Sequence, residues 1–218
     1  MPRLSPEAEF ERTHKLYEQQ RLAGAAVCVI GIDEVGRGAV AGPLTVAAVA
    51  LPLEPYILGL DDSKKLSAQR REELAAEIRA IAQAVGIAFI QPDVIDRVGM
   101  AAALRAGMVQ AVEACGAETC GAKADLVLID GNPMHLFERE RCFVKGDGRV
   151  ACIAAASIVA KVARDALMVA ADAEYPGYEL ASNKGYASSQ HIQAIREKGL
   201  SSFHRASFCQ GFLQQQLF

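Results

Sequence analysis

Gly31-Ile32-Asp33-Glu34-Val35-Gly36-Arg37-Gly38 closes an apolar, β-branched run that begins at Ala25. A buried strand over Ala25 to Ile32 that ends in a charged, glycine-rich turn is the reading from which the rest of the chain is ordered. A second apolar run, Leu44 to Leu51, follows Gly42-Pro43. Two such runs joined by a glycine-rich connection predict an antiparallel pair.

Outward from that pair the pattern alternates between helical and extended periods. Ser67 can cap a helix running to about Val85, since Leu74, Ile78, Ile81 and Val85 recur at helical spacing. A short strand near Ile87 to Ile90, a helix from about Ala101 to Cys115 and a strand over Leu126 to Ile129 complete a mixed α/β order. Beyond Lys145 the chain turns helical, with a long Ala-rich helix from about Cys152 to Ala173, a Tyr175-Pro176-Gly177 break, and a helix near Ser189 to Lys198. On the other side of the pair, Ser5-Pro6-Glu7 marks the start of a polar, partly exposed helix to about residue 22, which reads as a removable extension. The expected organisation is an N-terminal helical extension over 1–24, a mixed α/β domain over 25–173, and a helical C-terminal region over 174–218.

The chain has 218 residues, 51% of them hydrophobic, enough to bury a substantial core. Its 23 basic and 26 acidic residues leave a formal net charge of -3, so a polyanionic partner would have to be met by a local basic patch. Bound cations at an acidic cluster would leave the remaining surface more basic than the total suggests. The six cysteines (Cys28, Cys115, Cys120, Cys142, Cys152 and Cys209) show no paired or zinc-ribbon spacing and read as reduced, mainly structural residues. The first 21 residues are charged, and no segment approaches a membrane span, so a soluble cytoplasmic protein is expected.

Acidic residues stand where strands end: Asp33 and Glu34 after the first, Asp130 after Asp125-Leu126-Val127-Leu128-Ile129, and Asp147 in Lys145-Gly146-Asp147-Gly148 before the long helix. Strand ends of α/β sheets are where sites assemble. Carboxylates converging at buried strand ends need a countercharge, and a hard divalent cation bound through oxygen supplies it. Two such ions about 3.5–4 Å apart could activate a water and stabilise the leaving oxygen in an in-line attack on a phosphodiester. Spacing alone leaves the alternative open that each Asp forms a turn or cap, as Asp130 before Gly131-Asn132 would do well.

The opening octapeptide resembles the first motif of the ribonuclease HII family, and further stretches agree in the same order. They are Leu60-Asp61-Asp62-Ser63-Lys64-Lys65-Leu66-Ser67, Leu128-Ile129-Asp130-Gly131-Asn132, Val144-Lys145-Gly146-Asp147, the run Ala155-Ala156-Ser157-Ile158-Val159-Ala160-Lys161-Val162-Ala163-Arg164-Asp165, Lys184-Gly185-Tyr186, and Phe203-His204-Arg205-Ala206-Ser207-Phe208. The resemblance covers about residues 25 to 210. It implies a ribonuclease H-like fold, a mixed central β-sheet flanked by α-helices with a helical C-terminal extension, and an endoribonuclease acting on RNA–DNA hybrids and on single ribonucleotides embedded in duplex DNA. Asp33, Glu34, Asp130 and Asp147 correspond to the family's catalytic, metal-binding acids. The metal implied is Mg2+ or Mn2+, and the cut falls 5′ of the ribonucleotide, leaving 3′-hydroxyl and 5′-phosphate ends.

By the same resemblance, the backbone of Gly36-Arg37-Gly38 presses against the ribose 2′-hydroxyl, the group that separates RNA from DNA. Tyr186 matches the tyrosine that bonds this hydroxyl and stacks on the next deoxyribose. Lys64, Lys65, Ser157, Lys161, Lys184 and Arg205 are candidate phosphate contacts, which position a duplex without reading its sequence. Two departures bear on substrate positioning: Asn183 stands where the family often has histidine, and Ala151-Cys152-Ile153-Ala154 lacks the polar and proline residues often seen there.

Two other readings remain. A dinucleotide-binding loop would also place Gly36, Gly38 and Gly42 after a strand, but such a loop should open a helix, whereas Gly42-Pro43 leads into a β-rich run and Asp33-Glu34 would repel phosphates. A noncatalytic hybrid-binding module is the other; the complete acid set argues against it. The chain is expected to act as a monomer. Its last residues, Gln214-Gln215-Gln216-Leu217-Phe218, resemble short peptides that dock on sliding clamps, with Leu217 and Phe218 as anchors.

Overall fold

The computed structural model describes residues 5–23, 28–116 and 126–213. In chain order the elements are α1 (Pro6–Ala23), β1 (Val29–Val35), β2 (Leu44–Ala50), α2 (Ala68–Ile81), β3 (Ala84–Ile90), α3 (Pro92–Val98), α4 (Met100–Ala114), β4 (Leu126–Asp130), β5 (Glu140–Phe143), α5 (Ala151–Glu174), α6 (Leu180–Asn183), α7 (Ser189–Lys198) and α8 (Ala206–Leu213). Two short 3-10 turns, Ser63–Lys65 and Gly146–Gly148, precede α2 and α5.

The sheet order is β3-β2-β1-β4-β5. β1 pairs antiparallel with β2, and β2 with β3. On its other edge β1 pairs parallel with β4, and β4 with β5. The expected antiparallel pair is therefore present, but β1 continues through Asp33 and Glu34 to Val35, because β2 keeps pairing with it as far as Thr45.

Alternation along the strands assigns two faces. Val29, Leu126 and Leu128 pack in one cluster with α5, Leu74 and Ile78 of α2, and Leu16 and Tyr17 of α1. Ile30, Ile32, Val127 and Ile129 pack on the opposite face with Leu104 and Met108 of α4. Every side chain from Ala151 to Ala160 is buried, as expected of a helix apolar on all sides. Gly31 permits its approach: a Cβ there would lie 2.3 Å from the Cys152 carbonyl carbon.

Several boundaries differ from the periodicity reading. Val85 lies in β3, because Ala82 ends α2 with extended backbone and β3 pairs with the whole of β2. β5, α3, α6 and α8 are additional elements; β5 is a short edge strand whose pattern, Glu-Arg-Cys-Phe, carries no clear alternation. The expected strand start at Ala25 lies outside the described residues. Cys28 is disulfide-bonded, contrary to the expectation of reduced thiols, while Cys142, Cys152 and Cys209 are free. Proximity in the fold decides such pairing, and spacing along the chain does not report it.

The polar N-terminal helix is present but is not loosely attached. Thr13, Leu16, Tyr17 and Gln20 are buried. The Tyr17 hydroxyl accepts from Ile57 N at 3.1 Å, and Thr13 Oγ1 accepts from Gly59 N at 3.2 Å. Gln20 accepts from Cys152 N at 3.0 Å and donates to the Leu51 carbonyl at 3.1 Å, so it caps the first turn of α5, where Val150 has no side-chain cap. Gln20→Ala should lower stability by about 2 kcal/mol, since both backbone groups would be left buried and unmet. Urea unfolding measures this, and an unchanged midpoint would show that α1 does not support α5.

Candidate active site

In register, Ile32 of β1 sits beside Ile129 of β4, so the next residues, Asp33 and Asp130, emerge from adjacent parallel strands. Both share the α5-facing parity of Gly31 and Leu128. Asp147 reaches the same place from the turn before α5, which Lys145 enters with a left-handed φ of 58°. Asp130 Oδ1 fixes that turn by accepting from Gly146 N at 2.6 Å. The result is a group in which Asp33, Asp130 and Asp147 each offer an oxygen, all within 4.8 Å of one another.

Glu34 faces the other way by strand parity. Its carboxylate lies 3.7 Å from Arg37 Nη1 at the edge of the cluster. Three of the four expected acids therefore converge, and the fourth flanks them. Asp62, which sequence reasoning did not single out, is close enough to raise the Asp147 pKa, and Lys64 opposes that rise at both Asp147 and Glu34. Its signal was available: Asp62 is the second acid of Asp61-Asp62-Ser63-Lys64, beside the residues proposed for phosphate.

The electrostatics of the group are unfavourable without a cation. Burial and then the charge of Glu34 push the Asp33 carboxyl well above its usual range, with Asp130 adding to the effect. Burial likewise raises Glu34 and Asp147. A hydroxyl from Ser157 donates to Asp33 and offsets part of this. Ser157 is in turn bonded to Ser63 Oγ at 2.9 Å. Clustered, partly desolvated carboxylate oxygens fit a hard divalent cation and do not fit a soft one.

The predicted recognition loop is built differently at its two glycines. Gly36 has φ +86°, and a Cβ there would lie 2.2 Å from Arg164 Nε. Gly38 is exposed, and a Cβ there would meet nothing within 4 Å. Nothing in the free protein requires glycine at 38, which is what a surface kept bare for a ligand would show.

Tyr186 is exposed and its ring lies 5.6 Å from the Arg164 guanidinium carbon. Its carbonyl ends a chain of neutral imidazoles. Ser201 N and Oγ lie 3.1 and 2.8 Å from His204 Nδ1, His204 Nε2 lies 3.1 Å from His191 Nε2, and His191 Nδ1 lies 2.9 Å from the Tyr186 carbonyl. The carbonyl can only accept, so His191 Nδ1 carries a proton, its Nε2 accepts from His204, and His204 Nδ1 accepts from Ser201. Asn183 also serves this loop, donating to the Tyr178 carbonyl and accepting from Gly185 N, both at 2.7 Å.

Among the expected phosphate contacts, Lys64 and Lys65 are exposed, with Lys65 3.3 Å from Asp61. Lys161 is paired with Asp165 at 2.7 Å, and the Lys184 ammonium folds back on the Ala181 carbonyl. Ser157 is buried as the partner of Asp33. Arg205 is fully buried with its guanidinium on loop carbonyls. Its burial was not readable from sequence, where arginine is by default exposed.

Residues 30–211 match the family model described as Ribonuclease HII. The chain belongs to the ribonuclease HII family. It is 45% identical over 194 residues to the ribonuclease HII of Cereibacter sphaeroides strain ATCC 17025, covering 88% of this chain and 89% of that one. It is 41% identical to that of Listeria monocytogenes serotype 4b, covering 89% and 72%. Among solved structures, ribonuclease HII of Archaeoglobus fulgidus, determined in a complex with PCNA, superposes with a TM-score of 0.67 at 27% identity, covering 82% of this chain and 94% of that one. Bst-RNase HIII in complex with Mn2+ shares the fold, with a TM-score of 0.62 at 18% identity, covering 100% and 76%. Ribonuclease HII membership makes this chain a metal-dependent ribonuclease, a hydrolase, and the expected mixed sheet flanked by helices is the fold observed. Among the described residues no helix is long and apolar enough to cross a membrane.

Two outcomes follow from the loop and the histidines. Gly36→Ala should destabilise by about 1–3 kcal/mol from backbone strain alone, whereas Gly38→Ala should leave the melting temperature unchanged; equal effects would contradict the assignment of their roles. Burial and the neighbouring His191 hold His204 down to about 4. Between its ordinary value of 6.5 and about 4, the unfolded chain takes up a proton that the folded pair refuses, so this contribution to stability is complete above the window and is lost as pH falls. Stability should therefore decline less between pH 7 and 5 in His204→Gln than in the parent, as read by urea midpoints; parallel declines would count against the neutral chain.

Proposed function

We propose that this ribonuclease hydrolyses the RNA strand of RNA–DNA hybrids and cuts 5′ of single ribonucleotides embedded in duplex DNA, as a cytoplasmic monomer with Mg2+ or Mn2+. Asp33, Asp130 and Asp147 would hold the metal, two ions in the active complex, with Glu34 at its flank completing the acid set. What carries the reading is the convergence of the three aspartates beside a glycine loop left bare at Gly38.

A bound divalent ion supplies charge neutralisation of the phosphate and a more acidic water. The chain's own groups orient the reactants. Ser157 keeps Asp33 in place through its hydroxyl, and Gly146 N does the same for Asp130. Lys64, beside Glu34 and Asp147, adds positive charge where a phosphate would enter. Gly36-Arg37-Gly38 would meet the 2′-hydroxyl through its backbone, and exposed Tyr186 would offer a ring face and a hydroxyl to the sugars. A backbone group reads sugar without reading base, which suits a substrate defined by one ribonucleotide.

Contact with a sliding clamp forms part of the proposal, supported by the archaeal relative solved in a complex with PCNA. Leu217 and Phe218, the residues expected to make it, lie outside the described residues.

A duplex carrying one ribonucleotide should be cut only when Mg2+ or Mn2+ is added, and an all-DNA duplex not at all. In Asp130→Asn the amide oxygen can still accept from Gly146 N, so the turn should survive while cleavage falls by more than about a hundredfold, beyond the loss typical of groups that merely support a ligand. Hybrid binding should remain largely intact. Undiminished cleavage would remove Asp130 from the mechanism, and cutting of the all-DNA control would overturn the substrate assignment.

A further inference from the structure

Arg164 and Arg205 are both fully buried, and among the described residues neither has a carboxylate within ion-pair distance. Their guanidinium groups are spent on backbone carbonyls instead. Arg164 donates from Nε to Pro43 at 3.0 Å, from Nη2 to Ala41 at 3.1 Å and from Nη1 to Lys184 at 2.7 Å. Arg205 donates from Nε to Gly42 at 3.0 Å and from Nη1 to Arg37 at 3.1 Å, while its buried Nη2 has no partner. Backbone bonds complete the knot: Val40 N and Ala41 N donate to the Gly185 carbonyl, and Arg205 N donates to that of Val40.

Burying two unpaired cations side by side is costly, and packed apolar side chains would fill the same volume more cheaply. Stability relative to an apolar filling therefore does not account for the choice of two cations here. Their geometric effect is specific. A trans peptide holds its C=O and N–H on opposite sides, so drawing the Arg37 carbonyl inward turns the Gly38 N–H outward. No hydrogen bond occupies that N–H among the described residues, and the space beyond Gly38 is open. A cation on the carbonyl oxygen also polarises the peptide and strengthens the N–H as a donor.

We propose that Arg164 and Arg205 are positioning residues for sugar discrimination: they clamp the carbonyls of residues 37–43 so that the Gly38 N–H faces the ribose 2′-hydroxyl, and Arg164 ties that loop to the one bearing Tyr186. The inference rests on the proposed role of the Gly36-Arg37-Gly38 loop. Lysine keeps the charge at either position but lacks the planar fork that reaches several carbonyls at once.

The test measures binding with metal chelated, so that nothing is cut, to a duplex with one ribonucleotide and to its all-DNA counterpart. The parent should prefer the first. Arg205→Lys and Arg164→Lys should each reduce that preference roughly tenfold, the worth of one hydrogen bond, whereas Arg71→Lys, which removes a similar carbonyl contact to Ser63 and Leu66, should not change it. Gly38→Ala separates the two levels of the argument. If the parent shows no preference, or Gly38→Ala keeps it, the loop reading fails and this inference with it. If Gly38→Ala loses the preference while both folded lysine variants retain it, the clamp alone is overturned. Should the lysine variants not fold, amide exchange in the unsubstituted protein decides: the Gly38 amide should exchange freely and be slowed by the ribonucleotide duplex but not by DNA, and protection already present in the free protein would refute the inference.

Discussion

The contact of α5 with β1 through Gly31 governs the rest of the structure. No residue with a Cβ fits there, since the added atom would fall 2.3 Å from the Cys152 carbonyl carbon. This close approach brings Ser157, one and a half turns further along α5, to Asp33, two residues further along β1 on the same face. It also sets the start of α5, and hence the Gly146–Gly148 turn, against the end of β4, where Asp130 receives Gly146 N. The convergence of three acids from distant parts of the sequence is thus a consequence of one helix lying unusually near one strand.

That convergence divides the charge of the region into two unlike zones. On the α5 side of β1, carboxylates crowd together and are pushed toward their protonated forms. A few residues on, beneath the loop from Gly36 to Pro43, two guanidinium groups are buried with no carboxylate among the described residues in ion-pair distance, and burial with mutual repulsion holds Arg205 down to about 10. Neither zone is stabilising by itself. A hard cation would compensate the first, and loop carbonyls partly compensate the second. A polynucleotide laid across both would bring phosphates and a sugar edge to a surface whose charges are already committed in place, which is how preorganised sites avoid reorganisation when substrate arrives.

Legibility in the sequence followed the strength of local signals. β2 was readable from its nearly continuous apolar run after Pro43, and α7 from the Ser188 cap and the Gly199 that follows it. β5 was not, because an edge strand with charged residues has no alternation to detect. The acids were findable as residues at strand ends, and strand parity could have shown that Asp33 and Glu34 point to opposite faces. The loop clamp was not findable. Nothing in the local sequence says that Arg164 and Arg205 will be buried, because the carbonyls that receive them, apart from that of Lys184, lie more than a hundred residues away in the chain.

The departures from the family pattern have a structural setting. At Ala151-Cys152-Ile153-Ala154 no neighbouring side chain caps α5, yet the helix start is not left bare, because Gln20 reaches across from α1 to Cys152 N and anchors its other end on Leu51. Small residues there also permit the close packing on Gly31 that a larger or polar side chain would obstruct. At position 183, asparagine links Tyr178 to Gly185 across the base of the Tyr186 loop with a donor and an acceptor from one side chain. In both places the local polar bond is made by a residue that fits its surroundings, so each departure must be judged by the bonds it makes in this chain and not by its difference from the motif. The same reasoning explains why α1, polar and separable by composition, belongs to the active region: through Thr13, Tyr17 and Gln20 it holds the segment leading to Asp61-Asp62-Ser63 and the first turn of α5 at once.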